Sequence, residues 1–289
     1  MSTASVPLLE ARGISKKFGS LQALYDVDLT LYAGEVLALV GDNGAGKSTL
    51  IKSIAGSHSV DEGEFFFDGK QVKITGPKDT AELGVEVVYQ DLALCDNLTV
   101  TQNMFLGREE TNNARLLSEA SMQRQAAETM RSLAVTTLSS VDQTVAQLSG
   151  GQRQSVAVAK AVMWNSKAVI LDEPTAALGV AQTRQVLDLV RRLAERGLGV
   201  IVISHNLHDL FEIADRFLVL RLGQSVGSYK RSETTQQQIV EAITAGELSV
   251  VPGQEAPHPA LGSAEAALSD GRSGGPDGKP EKINPKVDS

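Results

Sequence analysis

Gly41-Asp42-Asn43-Gly44-Ala45-Gly46-Lys47-Ser48-Thr49 decides how this chain folds. It fits Gly-x-x-x-x-Gly-Lys-Ser, the pattern of a phosphate-binding loop, which requires a buried strand before it and a helix after it. Both flanks comply. Glu35 to Val40 ends in an unbroken apolar run that reads as a parallel strand buried on both faces, and Leu50 to Ala55 reads as the beginning of a helix. Glycines at 41, 44 and 46 let the backbone curl so that successive N–H groups point inward, and the helix N-terminus adds the positive end of its dipole. Such a cradle suits a polyphosphate anion. Lys47 is placed to reach the β and γ phosphates, and the Ser48 hydroxyl to ligate the magnesium ion that accompanies them.

Working outward, the 289 residues are 42% hydrophobic, enough to bury one full core with some chain to spare. No run reaches the apolar length of a membrane-spanning helix, and the start has no basic-then-apolar signal pattern, so a soluble, cytoplasmic chain is expected. Cys95 is the sole cysteine, which excludes a disulfide framework and predicts a lone buried thiol. A net charge of −8 argues against broad nucleic-acid binding. Beyond Gly246 the composition shifts: six of the nine prolines lie between Pro252 and Pro285. That segment, 246–289, is expected to be a disordered tail behind a single domain at 1–245.

Upstream of the loop, Leu8 to Ile14 predicts a strand, Lys16 to Gly19 a turn, and Val27 to Leu31 a half-buried strand. Phe18 is equally readable as a base-stacking aromatic or an ordinary core side chain. Downstream, Phe65 to Phe67 and Val72 to Ile74 form a hairpin around Asp68-Gly69, giving an antiparallel segment. A short helix opens at Pro77 and stops at Gly84, and the strand Val85 to Tyr89 leads to Gln90. From Asp91 the strand signal fades. Helices are predicted at Val100 to Phe105 and at Glu119 to Leu133, the latter with Met122, Ala126, Met130 and Leu133 as an apolar stripe. About 91–165 therefore reads as a helical subdomain inserted into an α/β core.

A second informative stretch is Leu148-Ser149-Gly150-Gly151-Gln152, ahead of a helix from about Arg153 to Met163. It is either a further anion-binding helix end or a simple N-cap turn. Ala168 to Glu173 is a buried strand that delivers Asp172 and Glu173 at its C-terminal end, where α/β sheets place ligands. Asp172 suits water-mediated magnesium binding, and Glu173 suits activation of an attacking water. A helix from Val180 to Arg196 follows, then the strand Leu198 to Ile203, ending at Ser204-His205. His205 is placed to donate to a γ-phosphate, whereas His58, His208 and His258 read as structural or surface residues. Phe217 to Leu220 and Ser225 to Tyr229 predict a closing strand pair, and Thr234 to Thr244 a last helix.

Gly41 to Ser48, Gln90, Leu148 to Gln152, Leu171 to Pro174 and His205, in this order and spacing, resemble the ATP-binding subunit of ABC transporters. The resemblance covers about 8 to 245 and implies an α/β P-loop NTPase core, a RecA-like mixed sheet, with an antiparallel β subdomain and the helical insertion. It implies ATP and Mg2+ as ligands. Phe18 becomes the aromatic that stacks on the base, and Gly41, Asp42, Asn43, Gly44, Ala45, Gly46, Lys47, Ser48 and Thr49 the phosphate loop. Ser48, Gln90 and Asp172 become the magnesium site, with Gln90 also sensing the membrane partner. Lys47, Glu173 and His205 are then the catalytic set, and Ser149, Gly150, Gly151 and Gln152 a signature loop that closes over ATP held by the opposite subunit. One loop of each kind per chain implies that two copies pair. Asn97 to Val100, Asn103 to Arg108, Ser204 to Asn206 and Phe211 to Arg216 resemble the importers of monosaccharides such as ribose, galactose, xylose or fructose. The implied partners are membrane-spanning permease subunits, through which the chain would sit peripherally at the cytoplasmic face of the cell membrane, and, indirectly, a periplasmic or lipid-anchored solute-binding protein. Gly179 departs from the pattern, which usually has aspartate there, and leaves one cross-dimer contact in doubt. The alternatives are an exporter subunit or a non-transport ABC complex.

Overall fold

A parallel strand covered on both faces has to bury its odd and its even side chains in different places, and the central strands of this protein do so. The structure is a computed structural model that describes residues 6–112, 115–135 and 137–246. Its larger sheet has the order β10-β9-β3-β8-β7-β6. Here β3 is Val36–Val40, β6 Val85–Val88, β7 Ala168–Asp172, β8 Gly199–Ile203, β9 Arg216–Arg221 and β10 Gln224–Lys230. Only β10 runs antiparallel, against β9. Along β3, Val36, Ala38 and Val40 enter one apolar cluster while Leu37 and Leu39 enter another. Val200 and Val202 of β8 likewise face away from Ile201 and Ile203. This is why the strands read as unbroken apolar runs, and each such Leu or Ile contributes roughly 1.5–3 kcal/mol of burial.

The second cluster lies under a four-stranded antiparallel sheet of order β2-β1-β4-β5, built from β1 (Leu9–Phe18), β2 (Leu21–Leu31), β4 (Glu62–Phe67) and β5 (Lys70–Val72). Leu50, Ile51 and Ile54 of helix α1 (Lys47–Ile54) fill the same space. The first cluster is covered by helices. Among these, α4 (Glu119–Ser132) and α6 (Val180–Glu195) bury one face each, whereas α3 (Val100–Phe105) and α5 (Gly150–Val162) are buried on most sides. Met122, Ala126, Met130 and Leu133 all enter it, as their spacing predicts. Because α5 touches α3, α6 and β6, it joins the helical insertion to the sheet. Helices α2 (Pro77–Leu83), α7 (Leu207–Ile213) and α8 (Gln236–Ala245), with short 3-10 turns at Val145–Gln147 and Arg231–Glu233, complete the described elements.

Several sequence expectations shift. The predicted turn at Lys16 to Gly19 is strand as far as Phe18, because Lys17 pairs with Gln22 and Phe18 with Leu21 around a tighter turn at Gly19-Ser20. Similarly, the strand predicted from Phe65 starts earlier, since Glu62 pairs with Ser15. Helix α5 starts at Gly150 rather than Arg153. Two glycines are poor helix formers, but Ser149 caps Gln152 N–H and the Gln152 side chain accepts from Ser149 N–H, a reciprocal box that offsets the cost. Helix α7 has no counterpart in the sequence reading; Asn206 starts it by accepting from His208 and Asp209 N–H. Cys95 is half-buried, not buried. The expected tail lies outside the described residues, apart from Gly246, which ends α8 in a left-handed conformation.

Candidate nucleotide site

In the order β3-β8-β7 the three strands that carry chemistry are neighbours, so their C-terminal ends deliver the phosphate loop, His205 and the acid pair to one edge. An open cleft of roughly 730 Å³ lies along that edge. Gly41, Asn43 to Thr49, Gln90, Asp172, Glu173 and His205 line it, and Phe18 with Leu21, Gln22 and Ala23 forms another wall. Asp42 stands outside the lining; its carbonyl accepts from Ala45 N–H and from Lys47. Leu21 to Ala23 had no signal in the sequence beyond their place just after the Phe18 turn.

Two glycines of the loop are dictated by space. A Cβ on Gly41 would stand 2.2 Å from the Leu220 carbonyl oxygen, and one on Gly46 would meet Leu24 at 2.8 Å and the Ala23 carbonyl at 2.9 Å. Their φ values of +154° and +100° add a conformational reason. Helix α1 begins immediately afterwards, at Lys47, three residues earlier than its apolar pattern suggests. Its first turn carries no acidic residue, which leaves the positive end of the dipole facing the cleft.

Lys47 folds back onto the loop, donating from Nζ to the carbonyls of Gly41 at 2.6 Å and Asp42 at 2.9 Å. Its half-buried position lowers the pKa from the usual lysine value through desolvation; Glu173, Asp42 and Asp172 pull the other way. Asp172 is raised above the ordinary carboxylate range, first by burial and then by the neighbouring Glu173, against Lys47 and Lys52. Adjacent acids in a half-buried position are a cost that a purely structural site has no reason to bear.

Glu173 lies just past the end of β7, with φ +51° and its N–H bonded to the Ile203 carbonyl at 2.9 Å. A left-handed non-glycine residue at a strand end is strain held in place by its surroundings. The conformation turns the carboxylate to within 3.0 Å of His205 Nδ1, a pairing the sequence did not suggest. With Glu173 ionised, that bond requires the proton on Nδ1. The Glu173 side chain is 17% exposed and His205 81%. Behind them, Thr175 donates to the buried Asp209 carboxylate at 3.3 Å, tying the loop after Glu173 to the start of α7.

Ser48, Gln90 and Asp172 line the cleft and bring to it a hydroxyl, an amide and a carboxylate. These hard oxygen donors fit magnesium, which usually keeps several waters and takes one or two carboxylates plus substrate phosphates. No cluster of three or more His, Cys, Asp or Glu residues suited to a metal occurs among the described residues.

Ser149 to Gln152 do not line this cleft. They cap α5 and pack against the segment that follows Glu173. A Cβ on Gly150 would meet Leu178 Cδ2 at 2.9 Å, and one on Gly151 would meet Gln182 Cβ at 3.0 Å. Gln152 Nε2 donates to the Thr137 carbonyl at 2.6 Å. Within one chain, therefore, both glycines have a packing role and the N-cap turn is real.

Residues 24–176 match the family model described as ABC transporter. The chain is 45% identical over 244 residues to a xylose/arabinose import ATP-binding protein of Sulfolobus acidocaldarius, covering 84% of this chain and 96% of that one. It is 44% identical to a fructose import ATP-binding protein of Rhizobium meliloti, covering 83% and 95%. A ribose import ATP-binding protein of Caldanaerobacter subterraneus is 39% identical over 84% of this chain but only 48% of its own length, so this chain spans about half of it. The ADP conformation of an ATP-binding cassette of an ABC transporter superposes with a TM-score of 0.71 at 26% identity, covering 83% of this chain and 96% of that one. A dimeric post-hydrolysis cassette bound to ADP and Pi gives 0.63 at 26% identity, covering 77% and 98%. Among the described residues no helix is long and apolar enough to cross a membrane.

Proposed function

The chain belongs to the ABC transporter family, and from that premise we propose that it is the ATP-hydrolysing subunit that powers import of a monosaccharide through a separate membrane permease. The observation that carries the ATPase part is the one cleft that gathers Lys47, Ser48, Gln90, Asp172, Glu173 and His205 from the C-terminal ends of four neighbouring strands, β3, β8, β7 and β6. The names of the xylose/arabinose, fructose and ribose relatives supply the direction of transport and the sugar class.

In this reading ATP stacks its base on Phe18 and lays its phosphates along Gly41 to Thr49, at the start of α1. Lys47 leaves the Gly41 and Asp42 carbonyls for the β and γ phosphates, exchanging two neutral acceptors for anionic ones. Ser48, Gln90 and Asp172 would hold Mg2+, which would neutralise charge on the phosphate oxygens. Glu173 accepts a proton from the attacking water as its oxygen bonds to the γ phosphorus, while the bond from that phosphorus to the β–γ bridging oxygen breaks and ADP leaves with the electron pair. His205 donates to Glu173 through Nδ1–H, so its Nε2 donates to a γ-phosphate oxygen only when the ring is the imidazolium; in the neutral ring Nε2 accepts.

The signature residues Ser149 to Gln152 stand outside the chain's own cleft, which supports completion of the site by a second copy. Each copy would lend its loop to the other's ATP in an isologous dimer. Such closure would move α3 and α4 relative to the core and hand the motion to a permease. We assign residues 1–245 to the cassette, with 91–165 as the part that moves.

Deleting the gene and measuring ATP-dependent accumulation of radiolabelled pentoses and hexoses tests the function. Loss of one sugar with the others intact is expected. Undiminished uptake of every monosaccharide, with an exported compound building up inside the cell, would overturn the importer reading and leave the ATPase reading standing. Light scattering with Glu173→Gln, ATP and Mg2+ tests the pairing; a strictly monomeric species even with the permease present refutes it.

A further inference from the structure

Phe18 closes the β1–β2 hairpin and is 44% exposed, so little of its own sheet holds the ring in place. A tip aromatic of this kind has χ1 and χ2 free to wander, and stacking on a flat base then requires ordering it each time a ligand arrives. What the sheet does not supply comes from the loop after α1. His58 stands against the Phe18 ring edge to face, with centroids 5.3 Å apart and planes at 74°.

That loop is anchored at both of its ends. On one side it is an extension of the phosphate-binding helix: Ser57 N–H and His58 N–H both donate to the Lys52 carbonyl, at 2.8 and 3.0 Å. Gly56, at φ +70°, lets the chain turn there so closely that a Cβ would lie 2.5 Å from the Gly76 backbone. On the other side the loop is stitched to the strand that carries Phe18. Asp61 N–H donates to the Ser15 carbonyl at 3.0 Å, and its carboxylate accepts from Lys16 Nζ at 2.9 Å and from Lys17 N–H at 2.7 Å. The Lys16 ammonium in turn lies 5.6 Å from the Phe18 centroid. His58 does not line the cleft itself, so whatever it does for the ligand it does through Phe18.

We infer that His58 is a positioning residue for the nucleotide base: it holds the Phe18 ring in its stacking orientation and couples that orientation to α1, whose other end receives the phosphates. The inference rests on the reading of Phe18 as the base-stacking side chain, and the sequence alone had left His58 as a structural or surface histidine. One helix thus sets the phosphate position at its start and the base position at its end.

A double-mutant cycle on ADP affinity, measured by calorimetry on the full chain with Mg2+, tests it. Phe18→Ala should weaken ADP by about five- to a hundredfold, the usual range for losing a base–aromatic stack. His58→Ala should weaken it by about two- to tenfold, the worth of an edge-to-face pair. His58→Phe, which keeps a ring edge, should restore the affinity. The double variant should bind as Phe18→Ala does, because His58 has nothing left to position. In steady state His58→Ala should raise KM for ATP and keep kcat within about twofold of the parent, as expected for loss of uniform binding. Additive losses in the double variant, no loss in His58→Ala, or failure of His58→Phe to restore binding would each refute the positioning role while leaving Phe18 at the base. A silent Phe18→Ala would instead sink the base-stacking premise.

Discussion

Replacing Glu173 by glutamine removes one negative charge and the ability to accept a proton, and changes almost nothing else. The residue sits at φ +51°, so a substitution that altered the Cβ branch would also alter the strain, whereas glutamine carries the same stem. The backbone bond to Ile203 survives, and the new amide can still meet His205 at the 3.0 Å now spanned by the carboxylate. Losing a positioned general base costs about 10²–10⁴ in rate. At 1.36 kcal/mol per decade that is roughly 2.7–5.4 kcal/mol of barrier. Binding should move the other way, since the γ phosphate faces one fewer carboxylate, although Lys47 loses the largest of the charges that support its protonated form. The expected outcome is ATP affinity within a few-fold of the parent and phosphate release slower by at least ~100-fold. Single-turnover phosphate release beside equilibrium ATP binding reads both quantities. Turnover within tenfold of the parent, with ATP bound normally, would show that the base lies elsewhere.

The raised pKa of Asp172 makes a pH prediction. Its folded-state value lies above the unfolded one, so the folded protein holds that proton more tightly and stability falls as pH rises through the interval from the ordinary carboxylate value to the raised one. Asp172→Asn should therefore gain in melting temperature over the parent across that interval in the absence of magnesium and nucleotide; a difference that does not change with pH would refute the burial of a charged group there. Gly151→Ala should lower stability by roughly 1–3 kcal/mol in urea, because the added methyl meets Gln182 Cβ at 3.0 Å and α5 has to shift on α6. Gly150→Ala should cost less, since the Leu178 methyl at 2.9 Å is the end of a side chain that can turn away; equal losses would count against this account. Gly179 caps α6 at φ −74° with open space around its Cα, so Gly179→Asp should add a few tenths of a kcal/mol by urea denaturation as a better N-cap. A loss of stability there would mean that the turn excludes a side chain.

The sequence determined the phosphate loop, the acid pair, His205, the order of the strands and of every helix but α7, and the family, because each is encoded locally. Glycine spacing, an unbroken apolar run and an N-cap are properties of a few consecutive residues. The boundaries that moved were those set by a pairing or cap partner rather than by apolar pattern, near in the chain for Phe18 and Gly150 and distant for Glu62. Phe18 is strand because Leu21 lies opposite it, Glu62 is strand because Ser15 lies opposite it, and α5 begins at Gly150 because the residues around it form a reciprocal cap. Tertiary structure alone decided the rest. The Glu173–His205 bond joins residues on different strands and depends on a left-handed backbone that no propensity favours. Leu21 to Ala23 enter the cleft only because the hairpin folds over the loop. His58, an unremarkable position in the sequence, meets Phe18 because α1 ends where the β1–β2 turn arrives, and long-range packing of that kind leaves no periodic trace in a single chain.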